Sequence, residues 1–347
     1  MCTRADHPRQ RPAGGTSNLA AISRRQFTRG ALAAIGAGAI TGVTCAFAAS
    51  LLAADSLNFQ SAWLNDPEFI GYMIAIDNGY YAAQGLRVNY MPGGPSIIPE
   101  DGLLSGKADI ALTSLTGTAQ AWENGARLKI IGAQYQKSPL GVISLEKSDI
   151  KAPQDLAGKT VACPAPDLRA FQAVLKIAGV PKEKVTVVPF ASDPAPLVSG
   201  EIAAIVEFVT DLPFLIEQKS GQRTSYFLFS DVGLPLLIDL VTVRADTLTR
   251  RRGELVKFLR ASRKGWIENN ADPAKYPAKY LETWFKGNGQ PLEEENFYNR
   301  AQISLMANRR RLFGLDDRAV DASLAALESV GLTGSKKMFD LTVLPEV

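Results

Sequence analysis

The sequence predicts an α/β protein of two lobes, each built on a mostly parallel sheet and completed by C-terminal helices. Three observations carry that reading. Short apolar runs of strand type alternate with helical stretches from residue 57 to residue 243, an alternation that favours parallel strands covered by helices. The order of elements begins again near residue 160. The stretch GKADIAL (106–112) is echoed by GEIAAIV (200–206), each following a short helical stretch and opening a short buried strand.

The first strand is expected over 57–63 and leads into a helix over 67–78. Asp66 stands as its N-cap, Pro67 at its first position and Gly79 at its stop, the residue types those positions prefer. Phe69, Met73, Ile76 and Tyr80 recur on one helical face,. A strand over 86–91 and the loop Pro92-Gly93-Gly94-Pro95 follow,. A helix over 99–105, a strand over 108–112, a helix over 116–124 and strands over 128–135 and 140–145 complete the first set. The second set has strands over 160–163, 185–190, 202–206 and 225–229, with helices over 168–178, 194–199 and 212–219. One more strand is expected over 236–243, then helices over 249–270, 273–285, 292–313 and 316–330. KAPQDLAGK (151–159) and the 230–235 region read as linkers. The first lobe is then 55–150, the second 151–235, and 236–347 returns to the first.

Residues 1–54 read as an export leader that is removed. A polar start precedes Ser23-Arg24-Arg25-Gln26-Phe27-Thr28, an uncharged run from Gly30 to Leu52 follows, and Ala46-Phe47-Ala48 and Ala53-Ala54 offer small-residue exits,. The S-R-R-x-F core resembles the twin-arginine type. The competing reading is a retained membrane anchor, but an Ala- and Gly-rich run is weakly hydrophobic for a spanning helix.

The charge balance changes once the leader is set aside. The whole chain carries 38 basic and 35 acidic residues, and the leader holds six arginines and one aspartate, which leaves 32 basic and 34 acidic, net −2. No basic stripe with interleaved aromatics is present, so no nucleic-acid partner is expected. The triple arginines at 250–252 and 309–311 read as solvated helix faces. After cleavage at Ala48 the cysteine left is Cys163, and the single histidine, His7, falls in the leader. A mature chain of that kind has no intrachain disulfide, no Ser-His-Asp or Cys-His mechanism and no His-containing zinc site. No cofactor or metal is expected.

Four stretches carry a resemblance to a known family. They are the segment from Trp63 and Asn65 through Gly79-Tyr80-Tyr81 and Gly85-Leu86, then Pro92-Gly93-Gly94-Pro95, Gly106-Lys107-Ala108-Asp109-Ile110, and Asp155-Leu156-Ala157-Gly158-Lys159-Thr160-Val161. In order and spacing, over roughly residues 56–330, the chain resembles periplasmic substrate-binding proteins of ABC importers. The subgroup it resembles most binds thiamin pyrimidine precursors and is itself close to riboflavin, sulfonate and nitrate binders. The resemblance implies a type II periplasmic binding protein-like fold and a monomer. It also implies a ligand held between lobes that close on a hinge, and delivery to a permease and ATPase complex. The same broad family includes the eukaryotic thiamin-pyrimidine synthase, an enzyme with an active-site histidine and a CCCFC motif. This chain has neither, since Cys163 lies in VACPAP, and the departure favours a binder over an exported enzyme. A periplasmic sensor that hands its ligand to a receptor is the third reading, and neighbouring genes would separate it from the first.

The strand-to-helix junctions supply the candidate ligand contacts. In the first lobe, Trp63 offers a face for a planar ring, or packs as a core residue. Asn65 offers hydrogen bonds to ring nitrogens or amino groups, or serves a turn. Phe69 and Tyr72 stand near the helix start, Phe69 divided between core and cleft. Gly94, with Gly93, permits a tight turn or close backbone approach. Ser114 and Thr116 offer hydroxyls beside a helix N-terminus, or simply cap it. In the second lobe, Asp167 and Arg169 occupy the equivalent junction, and Glu207 with Phe208 follows the 202–206 strand. Glu207 would accept from an exocyclic amine and Phe208 would close an aromatic sandwich. Aromatics, amides, hydroxyls and carboxylates with one arginine suit a planar, amine-bearing heterocycle better than nitrate or sulfonate.

Overall fold

A computed structural model describes residues 55–190, 193–306 and 312–347. The expected leader, residues 1–54, lies outside them. The strands are β1 (Asp55–Gln60), β2 (Leu86–Met91), β3 (Ile110–Thr113), β4 (Leu128–Ala133), β5 (Leu140–Leu145), β6 (Thr160–Cys163), β7 (Thr186–Pro189), β8 (Ala204–Phe208), β9 (Thr224–Leu228) and β10 (Leu240–Arg244). The helices are α1 (Ile70–Asp77), α2 (Pro99–Leu104), α3 (Leu115–Glu123), α4 (Leu168–Ile177), α5 (Ala195–Ser199), α6 (Leu212–Ser220), α7 (Ala245–Arg250), α8 (Arg252–Ala271), α9 (Pro277–Tyr280), α10 (Leu292–Ile303) and α11 (Asp317–Ser329).

Two five-stranded sheets result, ordered β2-β1-β3-β10-β4 and β7-β6-β8-β5-β9. In the first, β1 runs parallel to β2 and β3, and β10 runs antiparallel to β3 and β4. In the second, β6 runs parallel to β7 and β8, and β5 runs antiparallel to β8 and β9. The two orders superimpose position by position, each with one reversed strand. β3 and β8 hold the same place, so the GKADIAL and GEIAAIV echo marks equivalent strands.

The expected lobe boundary needs correction. β5 was placed by sequence with the first lobe, yet it pairs in the second sheet. The chain therefore crosses over 134–139, between β4 and β5, and KAPQDLAGK lies inside the second lobe. The return crossing falls between β9 and β10. A fully buried strand carries no label of the sheet it joins, because periodicity reports burial and not partners.

Other boundaries move for local reasons. β1 stops at Gln60, three residues short of Trp63. β8 extends through Glu207 and Phe208, which end the strand instead of following it. The expected 249–270 helix is broken at Arg251 into α7 and α8, and the expected 273–285 helix contributes one turn, α9. The expected 292–313 helix ends at Ile303. Met306 then bridges to Tyr135 and Phe313 to Ala133, so this stretch returns to the edge of the first sheet. Residues 307–311 lie outside the described part.

Local chemistry sets the helix starts that matter for the cleft. Asp66 Oδ1 accepts from the Glu68 amide at 2.8 Å with Pro67 next in line. Ser114 Oγ accepts from the Gly117 amide at 3.0 Å and caps α3. Each such cap stabilises its helix by about 1 kcal/mol.

Phe69 and Tyr72, expected near the cleft, are instead fully buried core residues. The Tyr72 ring lies 4.8 Å from Phe59 and 6.0 Å from Trp266, centroid to centroid, and is stacked against Phe258 at 6.1 Å. Helix α1 packs so closely on α8 that a Cβ on Gly265 would sit 2.0 Å from the Gly71 carbonyl oxygen. That approach pulls the whole of α1 inward: residues Ile70 through Ala75 are all buried. Burial of each large side chain in this layer stabilises the fold by roughly 1.5–3 kcal/mol.

Candidate functional site

The carboxyl ends of equivalent strands in the two lobes face a common cleft of 520 Å³. Beyond β1 the loop 61–66 brings in Ala62 and Trp63. The end of β3 brings Thr113 and Ser114, and the segment after β6 brings Pro164 and Asp167. The end of β8 brings Glu207 and Phe208, with Asp211 one turn on. This is the place where open α/β sheets bind ligands, because the helix N-termini and connecting loops converge there.

The two crossings meet at the back of this cleft. The Gln134 amide donates to the Asp239 carbonyl at 3.0 Å. Gln134 Nε2 donates to Asp239 Oδ2 at 3.1 Å and to the Glu68 carbonyl at 2.8 Å. Asp239 adopts φ +51°, a left-handed conformation that costs a non-glycine residue energy and clusters at functional sites. It lines the cleft with Ile238, Glu68, Gln290 and Tyr298.

The cleft is acidic. Among the described residues its lining includes Asp66, Glu68, Asp167, Glu207, Asp211 and Asp239, and neither lysine nor arginine. Burial pushes these groups up, and repulsion from neighbouring acids adds to it at Asp66, Glu207 and Asp239,. Burial first, then the carboxylates of Asp167 and Asp211, hold Glu207 at about 7. Burial holds Asp167 at about 6. Burial and the neighbouring Glu68 drive Asp239 well above the usual carboxylate range, and Asp66 likewise. Glu68 is raised by burial and restrained by the hydrogen bond from Tyr298. Tyr298 donates its hydroxyl to Glu68 Oε2 at 2.9 Å.

Of the residues expected from sequence, Trp63, Ser114, Asp167, Glu207 and Phe208 reach this cleft. Trp63 is 45% exposed, so its indole is no core residue. Asp66, expected as a cap, both caps and lines the cleft. Six others do not reach it. Phe69 and Tyr72 are core. Asn65 donates to the Trp284 carbonyl at 3.1 Å and receives Asn288 on its own carbonyl, a tie to the C-terminal helices. Thr116 lies 3.3 Å from the Ser114 hydroxyl, within the cap of α3. Arg169 points to an outer cavity of 730 Å³ with Gln172, Lys176 and Lys182. Gly94 adopts φ +150° and approaches Leu64. Its neighbour Gly93 does the tighter work: a Cβ there would stand 2.5 Å from the Ala62 carbonyl carbon, and its amide donates to Trp63 O at 2.8 Å and Ser61 Oγ at 2.9 Å. The close approach that the two glycines permit is to the Trp63 loop.

Sequence reasoning missed Glu68, Asp239, Gln290 and Tyr298. Asp239 left a signal: it is the lone charge in LPLLIDLVTV (234–243), and an acid in an apolar run is buried and in need of a partner.

A family model described as "NMT1/THI5 like" matches residues 66–276, the span that holds both crossings and most of the cleft lining, with Ala62, Trp63, Gln290 and Tyr298 outside it. The chain belongs to the NMT1/THI5-like family. Among curated relatives, the formylaminopyrimidine-binding protein of Halalkalibacterium halodurans is 30% identical over 209 residues, covering 58% of this chain and 63% of that protein. The riboflavin-binding protein RibY of Chloroflexus aurantiacus is 23% identical over 219 residues, covering 61% of this chain and 62% of that one. The matched stretches thus span less than two thirds of either relative. Among solved structures, the periplasmic aliphatic sulphonate binding protein SsuA from Escherichia coli aligns with TM-score 0.61 at 14% identity, covering 80% of this chain and 91% of that one. The desulfurization enzyme DSZB aligns with TM-score 0.55 at 15% identity, covering 84% and 98%. At such identities these two establish the fold, two lobes of the periplasmic binding protein type. Among the described residues no helix is long and apolar enough to cross a membrane.

Proposed function

We propose that this protein is the exported solute-binding component of an ABC importer. It holds a small planar, amine-bearing heteroaromatic between its lobes, with a thiamin pyrimidine precursor as the favoured class, and delivers it to a permease and ATPase complex. The observation that carries this reading is the cleft lining among the described residues: six carboxylic acids, no lysine or arginine, and two partly exposed aromatic rings, Trp63 and Phe208. Carboxyl groups recognise exocyclic amines, and the indole and phenyl faces stack on a planar ring. The formylaminopyrimidine-binding relative supports the same chemistry.

The reading disfavours sulfonate or nitrate, since an anion in this cleft would meet six acids and no cation. Riboflavin, a larger planar ligand, is the alternative within the same fold. Capture by lobe closure needs no bond chemistry. Burial pushes the Cys163 thiol up to about 12, which keeps it from the reactive thiolate form, so an enzyme on this fold would have to work through the cleft carboxyl groups or a lysine. Export by the twin-arginine route, a periplasmic location and a monomeric state complete the proposal.

Native mass spectrometry of protein purified from the exported compartment tests for a retained ligand, and calorimetry with aminopyrimidines, riboflavin and taurine ranks the classes. Binding of taurine with no binding of any pyrimidine would overturn the ligand assignment. Turnover of the bound molecule would overturn the binder.

A further inference from the structure

The hinge and the acid cluster coincide at one residue. Asp239 ends the return crossing, is 1% exposed, lines the cleft and leaves its Oδ1 without a hydrogen-bond partner. Its other oxygen is engaged by Gln134 from the opposite crossing. An acid that is buried, half-satisfied and held in a strained backbone conformation is costly to the fold. Such a group is kept where something that enters the cleft satisfies it.

The surroundings define what that something is. The titratable groups facing Glu68 and Asp239 are Asp66 on the same segment, Tyr72 on α1, Tyr90 on β2, Tyr135 after β4 and Tyr298 on α10. All are acids or phenols. Among the described residues no group of acids, histidines and cysteines is placed to hold a metal ion, which points to an organic cation. Trp63 and Phe208 at the cleft mouth are the aromatic faces on which such a cation is stabilised.

Resting on the proposed binding function, we infer that the site takes its ligand as an organic cation. The ligand's ammonium or amidinium is received by Oδ1 of Asp239, which lines the cleft with Glu68 and is tied to the same Gln134 amide, and one proton held by this pair of buried carboxyl groups leaves to solvent as the positive charge enters. Charge is conserved at the site, one proton out for one cation in. Because Asp239 belongs to the hinge, the same event fixes the relation between the crossings.

Three probes separate this inference from the proposal beneath it. They are a 4-aminopyrimidine with a 5-aminomethyl arm, its neutral 5-hydroxymethyl counterpart, and benzamidine, a planar cation without a pyrimidine. Titration calorimetry near neutral pH, in two buffers of different ionisation enthalpy, gives affinity and protons released. The aminomethyl probe is expected to bind about ten-fold or more tightly than the hydroxymethyl probe and to release about one proton. Asp239→Asn, which tolerates the left-handed conformation, should abolish both differences while melting as a folded protein. Glu68→Gln gives the same readout if that variant does not fold. Equal affinities for the two pyrimidines overturn the cation and leave the pyrimidine reading standing. A tighter aminomethyl probe with no proton released overturns the proton step. Binding of benzamidine alone upholds the cation and removes the pyrimidine. Binding of none overturns both.

Discussion

Tyr298 donates its hydroxyl to Glu68 across 230 residues of chain, 2.9 Å from oxygen to oxygen. The bond fastens α10, which returns from the far end of the sequence, onto the cleft-side turn before α1. Tyr298 belongs to the C-terminal helices and Glu68 to the first strand-to-helix junction, so the contact joins two distant segments of the chain at the cleft.

Tyr298→Phe should therefore destabilise the protein by about 1 kcal/mol, the ordinary net contribution of one hydrogen bond. It should also raise the Glu68 pKa further, because that hydrogen bond lowers it. Urea denaturation measures the first effect. An unchanged midpoint and slope would mean that the hydroxyl does not hold α10 to the cleft.

The acid cluster predicts a stability profile of unusual direction. Glu207 is pushed up to about 7 and Asp167 to about 6. Burial, then the neighbouring acids, hold Glu294 at about 7 and Glu295 at about 8. Each folded value lies above the unfolded one, so the folded state holds more protons than the unfolded state between about pH 4 and about pH 8. Stability then falls as pH rises through that window. Thermal melts of ligand-free protein should show a higher midpoint near pH 5 than near pH 8. A midpoint that climbs over this range would contradict the assignment of raised acids.

The crossing of α1 and α8 gives a steric prediction with an internal control. Gly265 has no room for a methyl group, since its Cβ would sit 2.0 Å from a backbone oxygen of Gly71. Gly265→Ala should cost about 1–3 kcal/mol or more from forced separation of the helices, although alanine is the better helix former. Gly253, in the first turn of the same helix, meets nothing within 4 Å. Gly253→Ala should stabilise by up to about 1 kcal/mol. If both substitutions stabilise, the close crossing is not a constraint.

Much of the fold was legible in the chain because it rests on local signals. Asp66-Pro67 announces a helix start by capping chemistry, and the strands at 86–91, 140–145 and 160–163 were bounded as found. What failed depended on partners far away. Nothing local in LGVISL tells that it joins the second sheet. The helix expected over 67–78 put Phe69 and Tyr72 near its start, but nothing local showed that both would be buried in the layer packed against α8. In the cleft, Trp63, Asp167, Glu207 and Phe208 were accessible to reasoning from strand ends. Glu68 and Tyr298 were not, because their roles arise from a contact between the two ends of the chain.

The loop that carries Trp63 offers the sharpest separation of binding from folding. Its indole is 45% exposed and borders the cleft, so Trp63→Ala removes little buried area and should change stability by no more than about 0.5 kcal/mol. Loss of a stacking face in a binding cleft should weaken affinity by about ten-fold or more. Gly93 holds this loop from behind, with its amide on Trp63 O and its Cα against the Ala62 backbone. Gly93→Ala leaves the indole in the chain but pushes the loop away, and should reproduce the affinity loss. Calorimetry with the retained ligand, beside thermal melts, reads both quantities for both variants. If Trp63→Ala unfolds the protein, or Gly93→Ala leaves affinity unchanged, the loop is a structural cover and the ring-stacking face of the site must be assigned to Phe208 alone.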